Sequence, residues 1–233
     1  MEFSDLVFIF LSVLILIPTI ASLTRFDEWW VRAFDFPRIQ ICFLILVVLI
    51  ITMLISSYEK IWQIILTALL ALSLIYQVIK VFPYTTLSRK QVLTFHGDDP
   101  KAIISILVSN VLTTNTGYDK LIDLVNKKKP DVLLTLETDK KWEEELSVLE
   151  KKYPYTVKIP LDNLYGMHLY SKLKLEEIDV KYLIKEDIPS IHGYLRLKNN
   201  SRIKFHALHP KPPSPTEDAT STNRDAELIL LAK

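Results

Sequence analysis

Three runs of this chain, Leu6 to Leu23, Ile39 to Ile55 and Ile61 to Ile79, contain no charged side chain. Each is close to the ~20 residues that a helix needs to cross a ~30 Å hydrocarbon core. Helices apolar on every side need complete cover, and 233 residues are too few to bury three of them in one soluble core. The expectation is a multi-pass membrane anchor. A cleaved signal peptide does not fit the first run, because Met1-Glu2-Phe3-Ser4-Asp5 lacks a positive start. Trp29, Trp30, Tyr58, Trp62 and Tyr84 flank the runs as interfacial aromatics do.

Beyond the third run the chain changes character, so its 49% hydrophobic and 24% charged residues average two unlike parts. A net charge of +1 argues against a broad polyanion surface and leaves room for a local site that holds one phosphate. The single cysteine, Cys42, lies in the second run, so it forms no intramolecular disulfide and no cysteine-based zinc site. Arg25, Arg32 and Arg38 share a side with Lys80, Arg89 and Lys90, while Lys60 stands opposite. By the positive-inside rule the polar domain is expected on the cytoplasmic side of a plasma (inner) membrane.

The expected organisation is an anchor over 1–82, a linker or first edge strand over 83–101, and an α/β domain over 102–233. Pro83, Gly97 and Pro100 punctuate the linker. Ala102 to Leu112 and Asp131 to Leu136 read as strands around a helix from Tyr118 to Lys128, followed by a surface helix from Lys140 to Lys152. Short strands are expected at Tyr155 to Ile159, Met167 to Ser171, Ile178 to Leu183, Ile191 to Lys198 and Arg202 to Leu208. Asn199-Asn200 marks a hairpin between the last two. Four prolines between Pro210 and Pro215 demand an extended loop, after which Thr222 and Asp225 cap a last helix to Lys233. That helix ends on an apolar face, which leads to the expectation that the domain continues beyond it.

Asn110, Glu137 and His209 each fall at the end of an expected strand. Ligands of α/β sheets bind outside the carboxyl ends of strands. A carboxylate, an amide and an imidazole converging there can hold a hard cation and a phosphate, which suits metal-assisted hydrolysis. Each residue alone is more simply a polar strand end. His206 and His209 lie three apart beside a strand and should face opposite ways, against a zinc pair. His168 and His192 read as hydrogen-bonded sheet residues, with His168 also able to border a cleft. Arg224 either faces phosphate from a helix start or pairs with Asp218.

Ile106-Leu107-Val108-Ser109-Asn110, Leu133-Leu134-Thr135-Leu136-Glu137-Thr138, Tyr165-Gly166-Met167-His168-Leu169-Tyr170-Ser171 and Leu208-His209-Pro210 together resemble the endonuclease/exonuclease/phosphatase superfamily over roughly Ile103 to Lys233. The preceding spans and His209-Pro210-Lys211-Pro212-Pro213 resemble its bacterial membrane-anchored branch. The resemblance implies a two-sheet α/β sandwich, present in part. It implies Glu137 as ligand of Mg²⁺ (or Mn²⁺), with Asn110 and His209 as catalytic groups at the metal and phosphoryl oxygens. Tyr165, Gly166, His168 and Arg224 would then border the cleft. The family's Asp-x-Asn pair and terminal Ser-Asp-His segment are not in this sequence. Little turnover is therefore expected of the chain alone. The implied function is a membrane-anchored phosphoester hydrolase of unknown substrate class, with the bilayer as its one evident partner and no strong sign of nucleic acid. The alternative is a non-catalytic tethered binding or scaffolding protein derived from that family.

Overall fold

The computed structural model describes residues 3–94 and 96–232. Met1 and Glu2, and the expected helix end at Lys233, lie outside them. The chain divides into two compact units, one of residues 1–95 with 212–222 and the other of 96–211 with 223–233.

The first unit is built on α1 (Phe3–Leu23), the one-turn α2 (Trp29–Arg32), α3 (Arg38–Ile55) and α4 (Ile61–Val81). Three of these are long and apolar enough to cross a membrane. Leu, Ile and Phe cover their outer faces, while Ser12, Thr19, Thr52, Gln63, Ser73 and Gln77 are buried between them. Polar side chains between apolar helices supply hydrogen bonds where water is absent. Thr19 Oγ1 and Ser73 Oγ lie 2.6 Å apart, and Gln77 Nε2 donates to Thr19 Oγ1 at 2.9 Å. At the opposite end Asp5, 4% exposed, accepts from Lys60 Nζ at 2.5 Å and from Gln63 Nε2 at 3.3 Å. α1 and α4 therefore run parallel, with α3 antiparallel between them in sequence.

Residues 212–222 join this unit by backbone pairing to the loop after α1. Trp29 N donates to Ala219 O at 2.9 Å and Ser221 N to Asp27 O at 2.8 Å. The hydroxyl of Thr222 donates to the Asp27 carboxylate, 195 residues away in sequence.

The second unit is a two-sheet α/β fold. β1 (Ile106–Asn110), β2 (Val132–Leu136), β4 (Met167–Ser171) and β3 (Tyr155–Ile159) lie side by side in that order, with β1 and β2 parallel and the other pairs antiparallel. β5 (Leu175–Lys181), β6 (Ser190–Arg196) and β7 (Arg202–Ala207) form an antiparallel second sheet. The parallel pair needs a crossover, supplied by α5 (Tyr118–Lys128). It stops where Lys129 turns left-handed at φ 52° ahead of Pro130.

Side chains alternate across the first sheet. Leu133 and Tyr170 join Val125, Leu146, Leu149 and Trp142 in a core beneath α5 and α6 (Lys140–Leu146). Val132, Met167 and Leu169 meet Ile191, Leu195 and Ala207 of the second sheet in another. One hydrophobic pattern thus makes both the helix layer and the sandwich seam.

Boundaries depart from expectation where local polar contacts compete. The Asp99 carboxylate accepts from Lys101 N at 2.8 Å and turns residues 100–102 into a 3₁₀ segment, so β1 begins at Ile106. The helix from Lys140 gives way after Leu146 to a 3₁₀ turn that also buries Leu149. The strand expected from Ile178 starts at Leu175 and carries a bulge between Glu176 and Asp179, with Glu177 at φ 51°. The last helix, α7 (Thr222–Leu231), ends at Leu231. The Asn199-Asn200 hairpin forms, with Asn200 at φ 69°.

Candidate functional site

β1 and β2 run parallel and in register, Asn110 opposite Leu136, so their carboxyl ends open at the same level. Glu137 follows with φ 61°, a left-handed backbone that costs a side-chain residue about 1 kcal/mol. Leu112, two residues beyond Asn110, is left-handed too at φ 61°. Both strands turn sharply, and the turns are stitched together. Val111 N donates to Leu136 O at 3.0 Å, and the Thr113 hydroxyl donates to Glu137 O at 2.9 Å. Strained backbone held by several bonds is characteristic of functional positions.

The side chains meet there. Asn110 Nδ2 donates to Glu137 Oε1 at 2.5 Å, while Asn110 Oδ1 accepts from Leu112 N at 3.3 Å. His209, two residues past β7, brings Nε2 to 3.5 Å from the same Glu137 oxygen. The three expected residues therefore converge although they arrive from both sheets. Their side chains stay accessible, Glu137 at 16% and His209 at 21%.

Tyr165 supports the imidazole. Its ring is 3% exposed and lies 5.4 Å from that of His209, tilted by 40°. Lys211 places Nζ 5.2 Å above the same ring and 3.9 Å from Asp187. Gly166 packs behind Glu137, where Thr138 N donates to Gly166 O at 3.1 Å and Leu161 N donates to Thr138 O at 3.1 Å.

One cleft expectation needs correction. His168 is fully buried in the first sheet, on the side of Trp142 and Tyr170, and borders no open surface. Nor is it hydrogen-bonded as a sheet histidine should be: neither ring nitrogen has a partner among the described residues. β4 alternation turns Met167 and Leu169 to the sandwich seam and so commits His168 to the helix side. Arg224 pairs with its neighbour Asp225, at 2.8 Å, rather than with Asp218. It lines a small recess with Lys211, Ile188 and Glu227. His192 and His206 are cross-strand partners, Nδ1 to Nδ1 at 2.6 Å, which removes His206 from any pairing with His209.

Burial of His168 pushes its pKa from 6.5 down to about 4. Between those values the unfolded chain binds a proton that the folded chain refuses, so stability is complete above pH 6.5 and falls as the pH drops toward 4. The expected loss is about 3 kcal/mol. Urea unfolding at pH 7 and pH 4.5 should show it, and His168→Leu should flatten that difference. An unchanged pH dependence in the variant would assign the loss to other groups.

Sequence reasoning gave no role to Thr113 or Lys211. Thr113 acts through Glu137, 24 residues away, which no local spacing encodes. Lys211 lay in plain view inside the His-Pro-x-Pro-Pro run, but only the fold stacks it on Tyr165.

The donor set can be matched to a metal class. Among the described residues no three His, Cys, Asp or Glu side chains gather as the ligands of a closed zinc site do. One carboxylate with an adjacent amide matches Mg²⁺, which keeps several waters and takes one or two protein carboxylates beside a phosphate.

Several solved structures are similar to about half of the chain. The chain is similar to D. rerio TDP2 complexed with single strand DNA product, at 14% identity and a TM-score of 0.47, over 55% of this chain and 52% of that one. It is also similar to truncated Caenorhabditis elegans TDP2, at 14% identity and 0.45, over 55% and 53%. A third similar structure is an endonuclease/exonuclease/phosphatase from Beutenbergia cavernae, at 13% identity and 0.43, over 55% and 43%. The chain spans about half the length of the TDP2 structures it matches first. No curated protein matches it. The endonuclease/exonuclease/phosphatase family matches residues 107–233, more than half of the sequence, and the chain belongs to that family.

Proposed function

We propose that this chain is a membrane-anchored, divalent-metal-dependent phosphoester hydrolase, in which Glu137, Asn110 and His209 form the metal- and phosphate-holding part of the site. The convergence of Asn110 Nδ2 and His209 Nε2 on one Glu137 oxygen carries the reading. Three helices long and apolar enough to cross a membrane support the anchor.

Glu137 would hold Mg²⁺ or Mn²⁺ beside water and a phosphoryl oxygen. The bound cation supplies Lewis-acid polarisation of the phosphoester. Asn110 fixes the rotamer of the Glu137 carboxylate and, once substrate displaces that contact, has an N–H to donate to a phosphoryl oxygen. His209, braced by Tyr165, donates Nε2–H to another oxygen as negative charge grows during attack of water on phosphorus. The P–O ester bond breaks and the alcohol leaves with a proton. The Asp-x-Asn triplet that the family uses to orient water is not in these 233 residues, so metal binding is the stronger expected signal and turnover the weaker.

The test is hydrolysis of bis(4-nitrophenyl) phosphate by the detergent-purified protein with Mg²⁺ or Mn²⁺, abolished by EDTA. His209→Ala should lower the rate about 10²-fold, the usual cost of one oxyanion donor. Full activity in that variant would remove His209 from the site. If metal binding and hydrolysis are both undetectable, a tethered, non-catalytic protein replaces this reading.

A further inference from the structure

At the end of the first unit that holds the α1 C-terminus, the α3 N-terminus and the α4 C-terminus, the polar chain between the helices ends in a cluster of charge. Gln77 passes the chain from Thr19 to Arg38, whose Nη1 donates to Gln77 Oε1 at 3.0 Å. Arg38 also pairs with Asp35, which receives Arg32 at 3.4 Å and the Ser22 hydroxyl at 3.2 Å. Two guanidinium groups thus share one carboxylate, leaving positive charge in excess. Lys80, on α4, adds a third cation. Its ammonium rests 5.6 Å from the Tyr76 ring, and no carboxylate pairs with it among the described residues.

These groups border an open cavity of about 560 Å³ between α3 and α4, lined on its polar side by Arg38, Lys80 and the Asp35 carboxylate that Arg38 pairs with, and elsewhere by Ile39, Val81, Phe36 and Tyr84. Its chemistry is split. Arg38 and Lys80 present cations, Ile39 and Val81 continue the apolar faces of their helices, and Phe36 and Tyr84 stand 74% and 90% exposed at the rim. Aromatic rings at this level mark the boundary between headgroups and hydrocarbon. Basic pockets between membrane helices at that boundary suit anionic headgroups.

We propose that this cavity binds one anionic glycerophospholipid. The lipid phosphate meets Lys80 and the outward edge of Arg38, while an acyl chain lies along Ile39 and Val81. A free phosphate would use only the cationic half and leave the apolar wall and aromatic rim without a role. The proposal rests on the reading that α1, α3 and α4 cross a membrane. It is independent of hydrolysis, because no residue of the site around Glu137 takes part.

The full chain, purified in a mild detergent, should retain phosphatidylglycerol over phosphatidylcholine when titrated with each and examined by native mass spectrometry. Lys80→Gln should weaken phosphatidylglycerol binding about fivefold, the worth of one basic residue near an anionic surface, with Lys80→Arg restoring it. Lys90→Gln, the same charge change outside the cavity, should leave binding intact. Equal retention of the two lipids, or an unaffected Lys80→Gln, overturns the site. Glycerol 1-phosphate binding as tightly as the lipid would reassign the cavity to a soluble phosphate. Alkaline carbonate washing of membranes separates the two readings. Release of the chain defeats the membrane assignment itself, whereas retention without lipid preference defeats only the cavity proposal.

Discussion

Glu137→Gln should weaken Mn²⁺ binding at least tenfold, as followed by electron paramagnetic resonance, and cut metal-dependent phosphodiester hydrolysis by about 10³, or roughly 4 kcal/mol of transition-state stabilisation. The substitution is nearly isosteric. Glutamine keeps an oxygen for Asn110 Nδ2 and inherits the same left-handed backbone at φ 61°, so the fold loses little while the charge is lost entirely. Glu186→Gln, on an exposed turn between β5 and β6, serves as the control and should change neither quantity. Unaltered Mn²⁺ binding in Glu137→Gln would sink the metal assignment whatever the rate does.

Gly166→Ala is expected to cost about 4 kcal/mol, which places it among the severe single substitutions. The reason is space, not backbone freedom, since Gly166 has no positive φ. A Cβ there would lie 1.9 Å from Thr138 O, 2.6 Å from Leu161 N and 3.0 Å from Ile159 O, all backbone atoms. To admit it, the bonds joining Thr138 to Gly166 and Leu161 must part. Thr138 is the next residue after Glu137, so the same displacement should impair divalent binding as well as lower the unfolding midpoint. Gly117→Ala is the contrast, because its nearest neighbour is the movable Asn115 side chain at 3.2 Å. It should cost less than about 1 kcal/mol. A mild Gly166→Ala would mean that the cradle behind Glu137 is softer than its geometry implies.

The two experiments probe different layers. Glutamine at 137 removes charge and leaves the scaffold, while alanine at 166 moves the scaffold and leaves the charge. A loss of metal binding in both, with loss of stability in only the second, is the pattern expected of a site set by backbone packing immediately behind its carboxylate.

Much of this was legible in the residues themselves. Unbroken apolar runs need no tertiary information to identify helices long enough to cross a membrane, because length and composition decide that. The β-branched runs ending in Asn110 and Glu137, joined by an amphipathic helix, specify parallel strands whose carboxyl ends coincide. Polar residues at those ends are then neighbours by topology. The family could be named from the same residues, since its motifs lie where strands stop.

Other features depended on contacts between distant parts of the chain. Alternation on β4 turns His168 to one side or the other, but only the packing of Trp142 and Tyr170 makes that side a closed interior. Thr222 follows a capping pattern, yet Asp27, 195 residues away, takes its hydroxyl. Asp5 and Lys60 look like isolated charges beside apolar runs until α1 and α4 align in parallel and bring them together. Periodicity and turn chemistry are properties of neighbouring residues, and they determined the elements, their order and the ends at which the site opens. Which buried polar group finds a partner depends on atoms supplied by other elements, and only the tertiary structure decided that.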